Sequence, residues 1–314
     1  MEVESGPARG RWGTAVALTL AVVFLAVFDA VPLVAVPLAL LLMAAPAPQR
    51  WKWMLVGLVI WMVGMLLPTG EVGALGRTWA LLLGAFFLAV TMTRRWGVFP
   101  RALTALAATL AAAVAWLLVT GQGESVDALL RQHFHTVSTM AVGDLAARAP
   151  ESGFLRDLSA ATDRMAVLQW TLFPAILALQ SLAALALASW WFARLRGVAD
   201  TTLGLRPLRQ FRFNDQLVWL VVAGLALLLV PAGELATRIG WNVLLFMGSL
   251  YALRGAGVFV FLAGGAPSWF AIVFGALALL FLYPVVLTAA VLVGLGDTWL
   301  DVRGRAAAPP PTDA

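Results

Sequence analysis

Few side chains in this 314-residue sequence could do chemistry, and none forms a recognisable catalytic set. The two histidines are His133 and His135, and imidazole is the commonest metal ligand. Residues two apart on a helix point about 200° from each other, so both could bind one ion only from an extended segment. No phosphate-binding loop, zinc-protease, serine-hydrolase or dinucleotide motif occurs, and there is no cysteine. The sequence therefore predicts no enzyme activity, no metal and no cofactor.

Three polar side chains inside apolar runs are candidate ligand or packing positions: Asp29, Asn242 and Arg254. An ionisable group at the centre of a bilayer costs about 2.5–3.5 kcal/mol on insertion scales, so its presence needs a reason. Asp29 either has a function or marks the outer end of a short helix. Arg254 either holds an anionic ligand or extends its side chain to the nearer interface. Asn242, with Ser249 on the same face, either contacts a ligand or bonds to a neighbouring helix.

The composition decides which class of protein carries these side chains. Apolar residues make up 62% of the chain and charged residues 12%, whereas soluble domains are about 45–50% apolar and about 25% charged. The net charge of +5 comes almost entirely from arginines scattered between apolar runs. This pattern excludes a soluble enzyme, a secreted disulfide scaffold and a nucleic-acid-binding domain. The sequence predicts a membrane protein whose main partner is the lipid bilayer.

The fold class predicted is an all-α, polytopic transmembrane helical bundle with about 8–9 apolar segments. A spanning helix needs about 20 apolar residues to cross about 30 Å of hydrocarbon. The first run is too long for one crossing and is divided near Pro32, because proline removes a helix hydrogen bond. The last run is expected to be one tilted helix kinked at Pro284. The predicted segments are 14–28, 33–45, 51–67, 74–93, 102–120, 165–192, 216–230, 239–263 and 269–295.

An amphipathic insert at 121–164 separates the fifth and sixth segments. Its apolar residues recur at helical spacing, and a break at Gly143 predicts two helices lying on the membrane surface. The domain organisation expected is an N-terminal bundle half at 1–120, the insert at 121–164, and a C-terminal half at 165–296. A polar, partly disordered tail follows at 297–314.

The distribution of basic residues predicts the orientation. Cytoplasmic loops carry an excess of Lys and Arg, so the N-terminus is expected inside a bacterial inner membrane. The basic residues then inside are Arg9, Arg11, Arg50, Lys52, Arg94, Arg95, Arg101, Arg194, Arg196, Arg206, Arg209 and Arg212. By this count Asp29 and Arg254 differ in depth and should not pair, and the tail lies outside. If the tail were instead cytoplasmic, Asp297 would reach the face where Arg254 points and a charge-assisted bond would form.

The stretch 14–303 resembles the YybS-like family of bacterial polytopic membrane proteins, a domain of unknown function. The shared order is a proline-broken first pair, a basic turn at Arg94, an insert before a segment with Pro174, and Asn242 followed by Arg254. The most distinctive part is the ending, marked by Gly294, Gly296, Asp297, Asp301 and Arg303. The helix layout is also distantly similar to the vitamin-capture subunits of energy-coupling-factor transporters, and more loosely to membrane components of the rod-shape machinery. The resemblance implies membership of this family, and the family has no established substrate.

Two functions remain open for such a bundle. It either binds a small solute in an intrabundle cavity, with a cytoplasmic protein partner on the basic loop from Arg194 to Arg212, or serves as a scaffold for envelope growth or cell division. A solute carrier needs a cavity that reaches the midplane, whereas a scaffold is packed throughout. Glycine pairs seven residues apart, such as Gly57 with Gly64 and Gly248 with Gly255, could let helices approach closely.

Overall fold

A computed structural model of the protein describes residues 31–44, 50–66, 70–148, 153–196, 207–231, 233–264, 275 and 281–307. The predicted segment 14–28 and Asp29 lie outside these residues. Within them the chain forms helices joined by short turns, and no strand occurs. Five stretches are long and apolar enough to cross a membrane, and three shorter apolar helices accompany them. The predicted all-α membrane bundle is therefore confirmed.

The described residues form two compact units. An N-terminal unit contains those from 31 to 196, and a C-terminal unit contains those from 207 to 307. The domain organisation proposed from sequence, two bundle halves around an insert, stays a prediction.

The N-terminal unit is organised around a short buried helix. Its helices are α1 Val31–Ala44, α2 Arg50–Leu66, α3 Glu71–Thr93, α4 Val98–Thr120, α5 Gly123–Arg148 and α6 Gly153–Arg196. Helix α1 packs against α2, α3 and α6, and most of its side chains are buried. A Cβ at Gly57 of α2 would press on the backbone carbonyl of Ala39 in α1, so the predicted close approach at Gly57 occurs.

The amphipathic insert differs from its prediction. Helix α5 continues through Gly143 to Arg148, so the expected break at Gly143 is wrong. The second half of the insert is the start of α6, which runs for 44 residues into the apolar segment. Helix α5 packs along α6, where the ring of Phe134 is buried and meets the ring of Phe173 edge to face at 5.5 Å. The helices of the insert therefore pack on each other, and their position on the membrane surface stays a prediction.

The C-terminal unit is built around one long helix. Its elements are two 3₁₀ turns, Leu208–Gln210 and Asp215–Leu217, followed by α7 Val218–Leu229, α8 Glu234–Leu262, α9 Tyr283–Leu300 and α10 Val302–Ala307. Helix α8 packs against α7, α9 and the first 3₁₀ turn. Asn214 begins the second turn, since its side-chain oxygen accepts a hydrogen bond from the Gln216 N–H at 3.0 Å.

The last apolar run also differs from its prediction. Residues 269–274 and 276–280 of this run lie outside the described residues. Pro284 stands in the first turn of α9, which begins at Tyr283, and its fixed φ and missing N–H are well tolerated there, so a helix start replaces the expected kink at Pro284. Helix α9 also continues five residues past the expected end, to Leu300. Phe261 and Gly264, at the end of α8, line one cleft with Arg303 and Gly304, which follow α9. Helices α8 and α9 therefore run in the same direction.

Candidate functional site: a buried charge cluster beneath a basic cleft

Glycines bring α8 and α9 close together. A Cβ on Gly255 of α8 would collide with the carbonyl oxygen of Ala290 in α9, and one on Gly294 of α9 would collide with the carbonyl oxygen of Tyr251 in α8. Small residues permit such an approach because no side chain separates the two backbones. The crossing places Arg254 of α8 beside Asp297 of α9.

Arg254 and Asp297 form a buried ion pair. The Arg254 Nε donates to Asp297 Oδ2 at 3.0 Å, and Nη2 donates to the Asp297 backbone carbonyl at 3.2 Å. The Arg254 side chain is 3% exposed and the Asp297 side chain is fully buried. A buried charge is costly unless it is paired and hydrogen-bonded. Arg254 therefore compensates the buried charge of Asp297, while the other carboxylate oxygen of Asp297, Oδ1, has no hydrogen-bond partner among the described residues.

Arg254 also ties in the turn before α7. Its Nη1 donates to Asp215 Oδ1 at 2.6 Å, and the Asp215 side chain is 59% exposed. The Phe213 ring lies 5.4 Å from the guanidinium carbon of Arg254 and meets the Tyr251 ring edge to face at 5.1 Å. Arg254 is thus held by two carboxylates and covered by an aromatic ring, which fixes the loop leading into α7.

A second arginine, Arg303, completes the cluster. Asp301 ends α9 with φ 40°, in the left-handed region, which Asp adopts more readily than most residues. The resulting turn directs Arg303 back to the cluster. Its Nη2 donates to Asp297 Oδ2 at 2.7 Å. Its Nη1 donates to the carbonyls of Arg209 and Phe211, both at 3.0 Å. Arg303 therefore joins the end of α9 to the loop at 207–217.

A basic cleft of 680 Å³ lies above this cluster. It is lined by Arg209, Gln210, Arg212, Phe261, Gly264, Arg303 and Gly304. The Arg212 Nη2 lies 2.6 Å from Asp301 Oδ1, and both side chains are about half exposed. Arg209 is exposed, and in the part of the chain that the structure describes it forms no ion pair. The cleft thus presents the guanidinium groups of Arg209 and Arg212 to solvent, next to the buried charge cluster.

The expectation that the tail lies on the side opposite the basic loop is wrong. Arg303 binds two carbonyls of that loop, and Arg212 pairs with Asp301. The tail and the loop therefore lie at the same end of the unit. The Arg254–Asp297 bond, which was expected only for this alternative arrangement, is present.

The other predicted positions lie apart from the cluster. Asn242 Nδ2 donates to the Arg238 carbonyl and Ser249 Oγ to the Leu245 carbonyl, each one turn earlier in α8. A Cβ on Gly296 would reach only the tip of Leu300, and one on Gly248 would meet nothing within 4 Å. Among the described residues, no three His, Asp or Glu side chains come together as a metal site.

One residue of the site, Asp215, was not expected from the sequence, whereas Arg209 had been assigned to the basic loop. Asp215 stands in the polar stretch before α7 and belongs to no motif. Its signal was positional, because it immediately precedes the apolar run of α7, which starts at the end of the unit where Arg254 lies. Using that signal required knowing the direction of each helix.

The family of the chain follows from the match of a family model to residues 14–298, described as "Predicted membrane protein (DUF2232)". The chain belongs to the DUF2232 family. The matched region contains Arg254 and Asp297 and ends before Asp301 and Arg303. The core of the charge cluster therefore falls inside the DUF2232 region, while part of the cleft wall falls after it.

No curated protein and no solved structure matches the chain significantly. The resemblance to YybS-like proteins and to energy-coupling-factor subunits stays a prediction. Membership of DUF2232 supports the conclusion that this is an integral membrane protein. The family description gives no activity, so a function has to be argued from the site.

Proposed function

We propose that this DUF2232 protein acts by binding rather than by catalysis. It is a multi-pass protein of the bacterial inner membrane with its N-terminus in the cytoplasm. Its C-terminal unit docks an anionic group in the basic cleft at the cytoplasmic end. The observation that carries this proposal is the cleft itself, where Arg209 and Arg212 stand exposed on a loop fixed by buried Arg303.

The charge balance supports an anionic ligand. The charged residues that line the cleft or belong to the cluster are the arginines 209, 212, 254 and 303 and the aspartates 215, 297 and 301. All three of these aspartates are paired with arginines. Positive charge is therefore left over, and it attracts an anion from solution.

The orientation argument assigns the cleft to the cytoplasm. Arg209 and Arg212 belong to the basic loop that the Lys and Arg distribution places inside. A cytoplasmic partner with acidic side chains is one form of ligand that this assignment allows. The solute-carrier hypothesis needs a cavity reaching the midplane, and the cleft of the described residues instead lies at the end of α8. The scaffold hypothesis remains the alternative.

Thermal unfolding in a mild detergent tests the proposal. Pyrophosphate and a hexaglutamate peptide should each raise the melting temperature of the purified protein in a saturable manner, whereas hexaglutamine should not. Replacing both exposed arginines, R209Q with R212Q, should abolish the rise. The matched control is R95Q, because Arg95 is an exposed arginine of the N-terminal unit. A protein that no anionic probe stabilises would contradict the proposal.

A further inference from the structure

We propose that the anion held by the basic cleft is the phosphate of an anionic phospholipid headgroup. This inference rests on the proposed function and names the class of ligand. Three features of the C-terminal unit carry it: the depth of the cleft along α8, the donors that it presents, and the apolar side chains beside it.

The depth of the cleft matches the headgroup layer. Helix α8 has 29 residues, which at about 1.5 Å per residue is about 43 Å. The hydrocarbon core is only about 30 Å thick, so α8 extends beyond it. Phe261 lies in the last turn of α8 and Gly264 just after it, and both line the cleft. The cleft therefore opens where lipid phosphates lie.

The donors of the cleft suit a phosphate group. Guanidinium groups present several N–H donors in a planar fork, which matches the oxygens of phosphate. Arg212 uses Nη2 for Asp301 and keeps its other donors. The Arg209 side chain makes no hydrogen bond or ion pair with any part of the chain that the structure describes. Arg303, 4% exposed, adds a fixed positive charge at the base.

The surroundings of the cleft favour a lipid over a free anion. Phe261 forms an apolar part of the wall. Next to the lining residues in sequence, Leu262 is 59% exposed and Leu208 is 38% exposed, and Phe259 is 46% exposed. Exposed apolar side chains contribute little to binding of inorganic phosphate, but they can contact an acyl chain. Basic pockets on the cytoplasmic side of transmembrane helices are known sites for anionic headgroups.

Native mass spectrometry of the full chain in a mild detergent can measure this preference. The probes are dioleoylphosphatidylglycerol, which is anionic, dioleoylphosphatidylcholine, which is zwitterionic, and glycerol 1-phosphate, which has the headgroup chemistry without acyl chains. We expect phosphatidylglycerol to bind at least fivefold more tightly than phosphatidylcholine. The double variant R209Q with R212Q should lose that preference, and R95Q should keep it. Unchanged melting temperatures would show that the variants are folded.

Each other outcome has a distinct meaning. Binding of glycerol 1-phosphate as tight as that of phosphatidylglycerol would overturn the lipid inference and leave the proposed anion site intact. Binding of hexaglutamate without any preference among the lipids would do the same in favour of a protein partner. A phosphatidylglycerol preference that survives in the double variant would assign it to another surface and overturn the inference. Failure of every anionic probe would contradict both proposals.

Discussion

Arg254 of α8 donates its Nε–H to Asp297 of α9 at 3.0 Å, and both side chains are buried. The contact joins two candidate membrane-spanning helices at the crossing that Gly255 and Gly294 permit. The basic cleft depends on that arrangement, because Arg303 connects Asp297 to the loop carbonyls.

The first prediction compares how much stability is lost when each member of the buried Arg254–Asp297 pair is replaced. Replacing Asp297 by Leu should destabilise the protein more than replacing Arg254 by Met. Loss of Asp297 leaves Arg303 without its carboxylate and Arg254 with only the exposed Asp215, whereas loss of Arg254 leaves Asp297 paired with Arg303. Breaking a buried pair costs about 3–5 kcal/mol. Reversible unfolding in mixed micelles measures the two changes.

The double variant R254M with D297L measures the interaction energy between the two side chains. We expect it to lose less stability than the sum of the single variants, by about 0.5–3 kcal/mol. R131Q is the control. The Arg131 side chain is 64% exposed, its pair with the partly exposed Asp127 is 3.8 Å long, and it lies 4.2 Å from the Trp170 ring. Contacts of exposed charges of these kinds contribute about 0–1 kcal/mol each. Additive losses would show that Arg254 and Asp297 do not interact in the folded protein.

The second prediction tests the close crossing of α8 and α9. Gly255→Ala should destabilise the protein by at least about 1–3 kcal/mol, the usual cost of overpacking, because the new Cβ collides with the backbone of Ala290. Gly248→Ala is the matched control on the same helix, since a Cβ there meets nothing within 4 Å. Equal melting temperatures for the two variants would refute the crossing.

The helices were largely predictable from the sequence, whereas the site was not. Hydropathy alone predicted segments close to α2, α3, α4, α7 and α8, because an apolar run of spanning length has few alternative structures. The side of the tail depended on whether the run around Pro284 crosses once or twice. Treating it as one kinked helix reversed the expected side and separated Asp297 from Arg254. Placing the tail at the wrong end of the unit therefore hid the cluster.

Local spacing was also an incomplete guide to helix contacts. Gly248 and Gly255 lie two turns apart on α8, yet only Gly255 meets another backbone closely. The sequence shows which face carries small residues, but the depth at which a second helix crosses depends on the other helix. Gly255 meets Gly294 because of the position of α9, which starts at Tyr283.

The third prediction concerns the orientation in the membrane. The chain has no cysteine, so single cysteines can be introduced without background. An impermeant maleimide should label Q122C in intact cells, because the turn between α4 and α5 is expected outside. Q210C and R305C should be labelled only after permeabilisation. All three positions are exposed, so lack of labelling reports the membrane barrier. Labelling of Q210C and R305C from opposite sides would show that the loop and the tail lie on opposite sides of the membrane, and would contradict this prediction.

The most direct test of the whole account is a cross-link between the loop and the tail. Arg212 Nη2 and Asp301 Oδ1 lie 2.6 Å apart, so R212C with D301C should join through a short bis-maleimide, and mass spectrometry should recover the linked peptides. R212C with E234C is the control, because Glu234 begins α8 at the far end of the unit. Efficient linkage of 212 to 301 but not of 212 to 234 is the predicted result. Failure of the 212–301 pair to link, with both thiols reactive, would contradict the shared end on which the basic cleft depends.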